Sequence, residues 1–114
     1  MICGDICYHT FKEPDKRRPV LVLTRTDAIS FLNEITIAPI TTTIRENDSS
    51  VWLDETDGMK ENCAVNLDYI QTIPKHRLSK VIAHLSEERM REVLKAIRFA
   101  FGFDKKLFEK SGKL

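Results

Sequence analysis

The apolar residues of this chain form short runs, several with polar residues alternating, and this pattern predicts a mostly β protein. Runs of this length with β-branched and aromatic residues are typical of strands rather than helices. The predicted strands cover residues 2–8, 20–23, 35–40, 51–53, 63–68, 69–73 and 81–85. Polar segments 10–18 and 41–50 are predicted loops, Asp57-Gly58 a turn, and segment 24–33 a place for a short helical piece. Because Pro39 has no backbone N–H, its strand is expected to be unpaired there, at a sheet edge or a bulge.

One stretch, residues 86–101, has the periodicity of an amphipathic helix. Ser86 is a natural N-cap, and Glu87 and Glu88 place negative charge in the first turn, where the helix dipole favours it. Gly102 follows as a C-terminal cap. The apolar stripe that recurs at intervals of three and four consists of Met90, Val93, Leu94, Ile97 and Phe101.

Many short strands followed by one late helix predict a small, strongly bent antiparallel sheet or barrel capped by a helix. The length of 114 residues suits one domain. We expect that domain to cover residues 1–103, including the closing helix, with a lysine-rich tail at 104–114. Because so many short strands bury little area by themselves, dimerisation is expected to help.

The charge balance changes this picture little: 18 Lys and Arg face 17 Asp and Glu, a net charge of +1. Such a chain does not bind nucleic acid through bulk charge, although a local basic site is compatible with it. No signal peptide or run long enough to span a membrane is recognised. The three cysteines form no CxxC pair and are expected to pack as small hydrophobes, so a cytoplasmic protein is predicted.

Three features could carry chemistry. Lys16, Arg17 and Arg18 stand directly before a buried strand, where an arginine is well placed to clamp a phosphate. Thr41, followed by Thr42 and Thr43, supplies hydroxyls after another strand, and Asp68 lies on the polar face of a third. Taken singly, each is more often structural: an edge-protecting charge cluster, turn chemistry, and a surface carboxylate.

The histidines add one candidate. His9, His76 and His84 lack the spacing of metal ligands, and His9, near the basic cluster, is the possible helper in proton transfer. No P-loop, GxGxxG or GxSxG motif occurs. We therefore expect no cofactor and no metal.

Taken in order, these segments resemble the MazF/PemK family of toxins, over about residues 2–103. The matching segments are GDI at 4–6, KRRPVLVL at 16–23, IAPIT at 37–41, NLDYIQTI at 66–73, KHRL at 75–78 and HLSEE at 84–88, followed by the helix. The resemblance implies an SH3-like barrel with a terminal helix, as a homodimer. It also implies a metal-independent endoribonuclease that cuts single-stranded RNA at short sequences. A cognate antitoxin with an acidic, flexible C-terminal segment would neutralise it.

By the same resemblance, Arg18, Thr41 and Asp68 are the catalytic residues. RNA carries its own nucleophile, the 2′-OH, so the enzyme must supply positioning, charge stabilisation and proton transfer. The expected products are a 2′,3′-cyclic phosphate or 3′-phosphate and a 5′-OH. The side chains expected to bind RNA are Lys16, Arg17, Thr42, Thr43 and Gln71.

The chain departs from the family pattern in four places. The stretch between Gly4 and Arg18 is shorter and lacks a Gly-Ser-Glu loop, and Gln71 stands where many members have Arg. His9 does not match the histidine that some members use in that loop, and the tail after Phe103 extends past the usual end. Two alternatives stay open: a non-enzymatic toxin like the CcdB proteins that poison DNA gyrase, and a barrel that binds RNA or protein without cleaving.

Overall fold

A computed structural model describes residues 1–11, 16–43 and 46–103, and its main feature is a curled antiparallel sheet. In the described residues the strand order is β4-β5-β3-β2-β1-β7, with β6 paired to β3 beside this path. The strands are β1 (Asp5–Phe11), β2 (Lys16–Val22), β3 (Glu34–Thr41), β4 (Ser50–Leu53), β5 (Cys63–Asn66), β6 (Gln71–Pro74) and β7 (Ala83–His84).

The sheet bends where β3 changes partners. The first half of β3 pairs with β6 as far as Ile37, and its end pairs with β5 from Ile40. We expected β3 to be unpaired at Pro39, at a sheet edge or a bulge. The strand is unpaired there on one flank, as expected, but it lies in the interior of the sheet and not at an edge. Pro39 faces Val20 of β2, while the opposite flank has a gap between β6 and β5 at this point. A residue without an N–H fits such a gap, and the change of partner bends the sheet into a half-barrel.

The β1–β2 hairpin differs from the predicted strand and loop. It begins later, because Gly4 has φ +95° and the Asp5 N–H donates to the Ile2 carbonyl at 3.0 Å, forming a turn. It also extends further, to the pair Phe11↔Lys16. The basic cluster was expected in a loop but lies in β2, because cross-strand pairing with β1 outweighs its polar composition.

Two apolar clusters occupy the two sides of the sheet. The half-barrel interior contains Ile6, Leu21, Ile40, Val65, Leu67 and neighbours, and the closing helix adds Val93 and Ala96. The other side contains Cys7, Val20, Val22, Ile29, Ile35, Ile37 and Ile73. Residues alternate between the two clusters along β1, β2 and β3, as the two-residue period of a strand requires.

The helix α2 (Glu87–Ala100) confirms the predicted helix, and the Ser86 hydroxyl accepts the Arg89 N–H at 3.1 Å as its N-cap. The predicted apolar stripe is only partly correct: Val93 is buried, and Met90 and Ile97 pack against the core, but Leu94 and Phe101 are 50% and 51% exposed. A short helix, α1 (Thr26–Ile29), lies between β2 and β3, as predicted for that segment. Three 3₁₀ turns complete the described chain: Glu55–Asp57, Leu67–Tyr69 and Lys75–Arg77.

Two predicted strands are shorter than expected. Asp68 lies in the 3₁₀ turn that follows β5, because the Asn66 side chain accepts the Asp68 N–H at 3.0 Å and ends the ladder. The last strand is reduced to β7. The Asp57-Gly58 turn is confirmed, with Gly58 at φ +89°. Among the residues described, no helix is both long and apolar enough for a membrane span. The predicted tail at 104–114 lies outside the described residues.

Candidate active site

A groove of about 640 Å³ lies at the end of the sheet where β2 begins and β3 ends. One wall is built by β1 and β2 through Tyr8, Arg17, Arg18 and Pro19. The end of β3 and the residues after it form the base, and the segment between the Gly58 turn and β5 forms the opposite wall. A concave site of this volume is within the range of small-ligand pockets.

The strand register brings Arg18 and Thr41 to the same place. Val20 of β2 is paired with Pro39 of β3. Residue numbers run in opposite directions along antiparallel strands. Arg18, two residues before Val20, is therefore next to Thr41, two residues after Pro39. Both line the groove, 23 positions apart in the sequence. The Thr41 hydroxyl accepts the Thr43 N–H at 3.1 Å, which fixes the turn that follows β3.

Two arginines make one wall of the groove basic, and the Glu61 carboxylate also lines the groove. In the described part of the chain, no ion pair involves Arg17 or Arg18. Arg18 is half-buried and Arg17 is exposed, with its guanidinium carbon 4.2 Å from the centre of the Tyr8 ring. Thr42 and Thr43 also line the groove, as predicted, whereas the Lys16 side chain lies outside the described part.

Cys63 lines the groove but is not a nucleophile. Burial, followed by the nearby carboxylates of Glu61, Asp57 and Asp54, raises the pKa of the Cys63 thiol to about 11. At neutral pH the group is therefore a thiol, and the thiolate is the form that attacks.

Asp68 and Gln71 do not line this groove. The Asp68 carboxylate accepts the hydroxyl hydrogen of the buried Ser49 at 2.6 Å. Gln71 is exposed on β6, and its side-chain amide donates to the Tyr69 carbonyl at 3.3 Å. The sequence therefore predicted three catalytic residues, of which the fold brings two together in one groove.

His9 lies on β1 opposite Arg18, but it is buried and not open to the groove. Among the described residues its Nδ1 has no hydrogen-bond partner, and its ring meets Phe11 edge-on at 4.6 Å. Burial, and then the Arg77 charge, lowers the pKa of His9, with a smaller opposing effect from the Arg77 backbone. His9 is therefore neutral near pH 7, next to Arg18 on the neighbouring strand.

Sequence reasoning missed Tyr8 and the wall formed by Met59, Lys60 and Glu61. The available signal for Tyr8 was an aromatic residue alternating with polar ones in β1, close to a basic cluster. The Met59–Glu61 wall had no local signal, because its role depends on where the Gly58 turn directs the chain. A search of the described residues finds no group of His, Cys, Asp and Glu that could hold a metal ion.

Comparison with known proteins shows the class to which this fold belongs. The sequence matches the family described as "PemK-like, MazF-like toxin of type II toxin-antitoxin system" over residues 3–101. Endoribonuclease MazF3 of Mycobacterium tuberculosis is 39% identical over 90 residues, covering 79% of this chain and 87% of the relative. Probable endoribonuclease MazF5 of the same species is 39% identical over 85 residues, covering 74% and 78%.

Solved structures agree with the sequence relatives. The Mycobacterium tuberculosis toxin MazF-mt6 superposes with a TM-score of 0.80 at 36% identity, covering 86% of this chain and 96% of that chain. An endoribonuclease from mycobacterial species, solved with its cognate antitoxin, has the same fold at 20% identity (TM-score 0.78, covering 90% and 95%). The half-barrel with its closing helix is therefore the fold of the MazF toxins. The chain belongs to the PemK/MazF family of type II toxin–antitoxin toxins, which confirms the resemblance.

Proposed function

We propose that this protein is the toxin of a type II toxin–antitoxin pair and an endoribonuclease that cuts single-stranded RNA. The observation that carries the proposal is the meeting of Arg18 and Thr41 in one basic groove, in a chain whose relatives are named endoribonucleases. Membership of the toxin family supports the class of activity, and the residue roles below are our proposal.

The groove fits a transesterification in which the substrate's 2′-OH attacks the adjacent phosphorus. Arg18 stabilises the charge that develops on the phosphate oxygens, because a guanidinium stays protonated and donates in a fixed fork. Thr41 holds the 2′-OH or a phosphate oxygen in line for attack. As the bond from phosphorus to the 2′-oxygen forms, the bond to the 5′-oxygen breaks; the 2′-OH gives up its proton and the leaving 5′-oxygen takes one up, with water as the proton carrier. The first products are a 2′,3′-cyclic phosphate and a 5′-OH, and attack of water on the cyclic phosphate then gives a 3′-phosphate. Neither step requires a metal ion or a protein nucleophile.

Asp68 and Gln71 receive more distant roles in this proposal. Because they lie outside the groove, we assign them to the RNA strand beyond the scissile phosphate, with Asp68 retained as a candidate for proton transfer. The groove is open along one side of the sheet, so a flexible single strand reaches Arg18 more readily than a rigid duplex does. Unpaired bases also expose the edges by which short sequences are read.

The partners proposed are a cognate antitoxin and a second copy of the chain. The positive wall at Arg17 and Arg18 suits the acidic C-terminal segment expected of the antitoxin. Val81 and Ile82 are exposed beside β1 and β7 at the edge of the sheet, and this apolar surface favours a homodimer. We propose the cytoplasm, where messenger RNA is translated, as the site of action.

A gyrase poison of the CcdB type shares the barrel but has no need of the Arg18–Thr41 pair. No observation on this chain favours that alternative, whereas the groove and the named relatives favour RNA cleavage. A barrel that binds RNA without cutting it predicts binding with no products, and the following experiment separates the two.

The test is incubation of the purified protein with a long single-stranded RNA in EDTA, with end-group mapping of the products. We expect Arg18→Ala to lower kcat/KM by about 10²- to 10³-fold, as for loss of one transition-state donor. Thr41→Ala should also impair cleavage, and Thr41→Ser, which keeps the hydroxyl, should restore most of it. Arg91→Ala, at an exposed position on α2, is the matched control and should cleave normally. Absence of cleavage by the wild type, or full activity of Arg18→Ala, would refute the proposal.

A further inference from the structure

Tyr8 and Arg17 form a stacked pair on the wall of the groove. The Arg17 guanidinium carbon lies over the Tyr8 ring, 4.2 Å from its centre. The hairpin register explains the contact: Tyr8 is opposite Pro19, and Arg17 is opposite Thr10, so Tyr8 and Arg17 are diagonal neighbours on one face. Both residues line the groove that contains Arg18 and Thr41.

Tyr8, the aromatic member of this pair, is held rigidly by its backbone hydrogen bonds. The Tyr8 N–H donates to the Ser79 hydroxyl at 2.8 Å, and the Tyr8 carbonyl accepts the Ser79 N–H at 3.0 Å. On the other side Tyr8 is paired with β2. The backbone of Tyr8 is therefore fixed from both sides, and its partly buried ring forms a platform with little freedom to lose on binding.

Arg17, the cationic member of the pair, is exposed to solvent. Arg17 is an exposed residue, and within the described ranges no carboxylate forms an ion pair with it. The Arg17 guanidinium lies over the ring and, because the residue is exposed, it remains accessible from solvent. Flat cationic groups and aromatic rings are the surfaces on which unpaired nucleobases stack.

We propose that the Tyr8–Arg17 stack is the platform for one unpaired nucleobase of the RNA, next to the phosphate held by Arg18. This inference rests on the proposed function and adds a specificity-determining element to the same site. The ring orients the guanidinium, and the guanidinium carries the base. A base paired within a duplex cannot turn onto this surface, so the stack favours single strands. The simpler alternative is that Arg17 only neutralises a phosphate, in which case the base above it is irrelevant.

Binding is the readout, measured with hexanucleotides of 2′-O-methyl RNA, which lack the nucleophile and stay intact. One series carries all its bases, and a matched series replaces one nucleotide at a time by an abasic one. The proteins are the wild type, Tyr8→Phe, Tyr8→Leu and Arg17→Lys, each checked by thermal melting. Tyr8→Leu removes the ring and keeps apolar volume, while Arg17→Lys keeps the charge and removes the plane.

We expect one abasic position to weaken wild-type binding by about 5- to 100-fold, as stacking of a single base on an aromatic does. Tyr8→Leu should weaken binding of the intact hexamer by a similar factor and no longer distinguish it from that abasic one. Tyr8→Phe should behave as the wild type. Arg17→Lys should also bind the intact and the abasic hexamer equally. Because Arg17 is exposed, this variant provides the test if Tyr8→Leu does not fold.

Equal losses on intact and abasic hexamers in both variants would overturn the stack and leave Arg17 as a phosphate contact. The proposed function is judged separately, on unmodified RNA. Stacking that depends on Tyr8 without cleavage of unmodified RNA would refute the nuclease and keep the platform. If the wild type cleaves unmodified RNA but binds every abasic hexamer as tightly as the intact one, the platform is refuted and the nuclease is kept.

Discussion

At the scale of single residues, His9 shows how burial decides the state of a side chain near the site. It lies on β1 beside Arg18 of β2, with 6% of its surface exposed, and its Nδ1 has no partner among the described residues. A charged imidazole would need solvation that this position does not offer, and the Arg77 charge opposes it further. The neutral ring instead packs edge-on against Phe11. His9 is therefore a packing residue beside Arg18 that does not line the groove.

The lowered pKa of His9 gives stability a pH dependence. Below about pH 6.5 the unfolded chain takes up a proton that the folded chain resists, so the free energy of unfolding should fall as pH decreases. Above that pH both states are neutral at this residue and the effect vanishes. His9→Phe, which keeps a ring against Phe11, should flatten the curve between about pH 7 and pH 5. The measurement is chemical denaturation at a series of pH values.

The matched control is His76→Gln, because His76 is exposed. That variant should keep the pH dependence of the wild type. His84, bonded to Asp5 at 2.8 Å, is unchanged in all three proteins, so its effect cancels in the comparison. If His9→Phe follows the wild-type curve, burial of His9 contributes nothing to the acid sensitivity of the fold.

At the scale of elements, α2 is joined to the chain that leads into the groove wall. The Asp57 carboxylate accepts the Asp54 N–H and the Arg89 Nε–H, both at 3.0 Å. Its side chain is 7% exposed and that of Arg89 is 25% exposed. Asp57 is followed by the Gly58 turn and then by the wall, so this ion pair ties the helix to the segment that shapes the site.

Arg89→Met should destabilise the protein by about 1–3 kcal/mol, because it leaves a buried carboxylate without its partner. Methionine keeps the apolar stem of the side chain and removes the guanidinium. Arg91→Met is the matched control on the same helix, since the Arg91–Glu87 pair is 71% and 86% exposed. Its effect should stay within about 0.5 kcal/mol, as for exposed pairs. Equal free energies of unfolding for the two variants in urea would show that the Asp57 contact is not structural.

At the scale of the whole molecule, the near balance of 18 basic and 17 acidic residues conceals an uneven distribution. Arg17, Arg18 and Lys60 line the groove together with the Glu61 carboxylate, whereas other acidic residues such as Asp54 and Glu55 lie in the segment before the Gly58 turn. Because no strong overall field draws the protein to nucleic acid, we expect RNA binding to rest on the few cations of the groove.

Binding of RNA should therefore depend weakly on salt. Each phosphate neutralised on a single strand contributes about −0.7 to the slope of log K against log salt, so Arg18 and Lys60 give a slope of about −1.4. Lys60→Ala should make the slope shallower by about 0.7, whereas Arg17, which we propose to carry a base, is not counted among these phosphate contacts. Titration of a 2′-O-methyl hexamer at several salt concentrations measures both. A slope of about −5 or steeper would mean that a larger basic surface, outside this groove, carries the binding.

Local sequence patterns identified the parts of the fold that depend on local physics. The capped amphipathic helix, the Asp57-Gly58 turn and the buried run after Pro19 were predicted because caps, turns and periodicity act over a few residues. The prediction for Pro39 was only partly correct and the basic cluster was placed wrongly, since both positions depend on pairing. A gap between β6 and β5 accommodates the proline, and β1 draws residues 16–18 into a strand.

The candidate site divides in the same way. By itself the sequence determined the residue types that RNA chemistry needs, Arg18 before a buried strand and Thr41 after another, and it determined the family. Only the tertiary structure decided that these two share a groove, that Asp68 and Gln71 lie outside it, and that Tyr8 carries Arg17. The physical reason is register: cross-strand neighbours are set by backbone pairing and by the bend of the sheet, and neither is written in any short stretch of sequence.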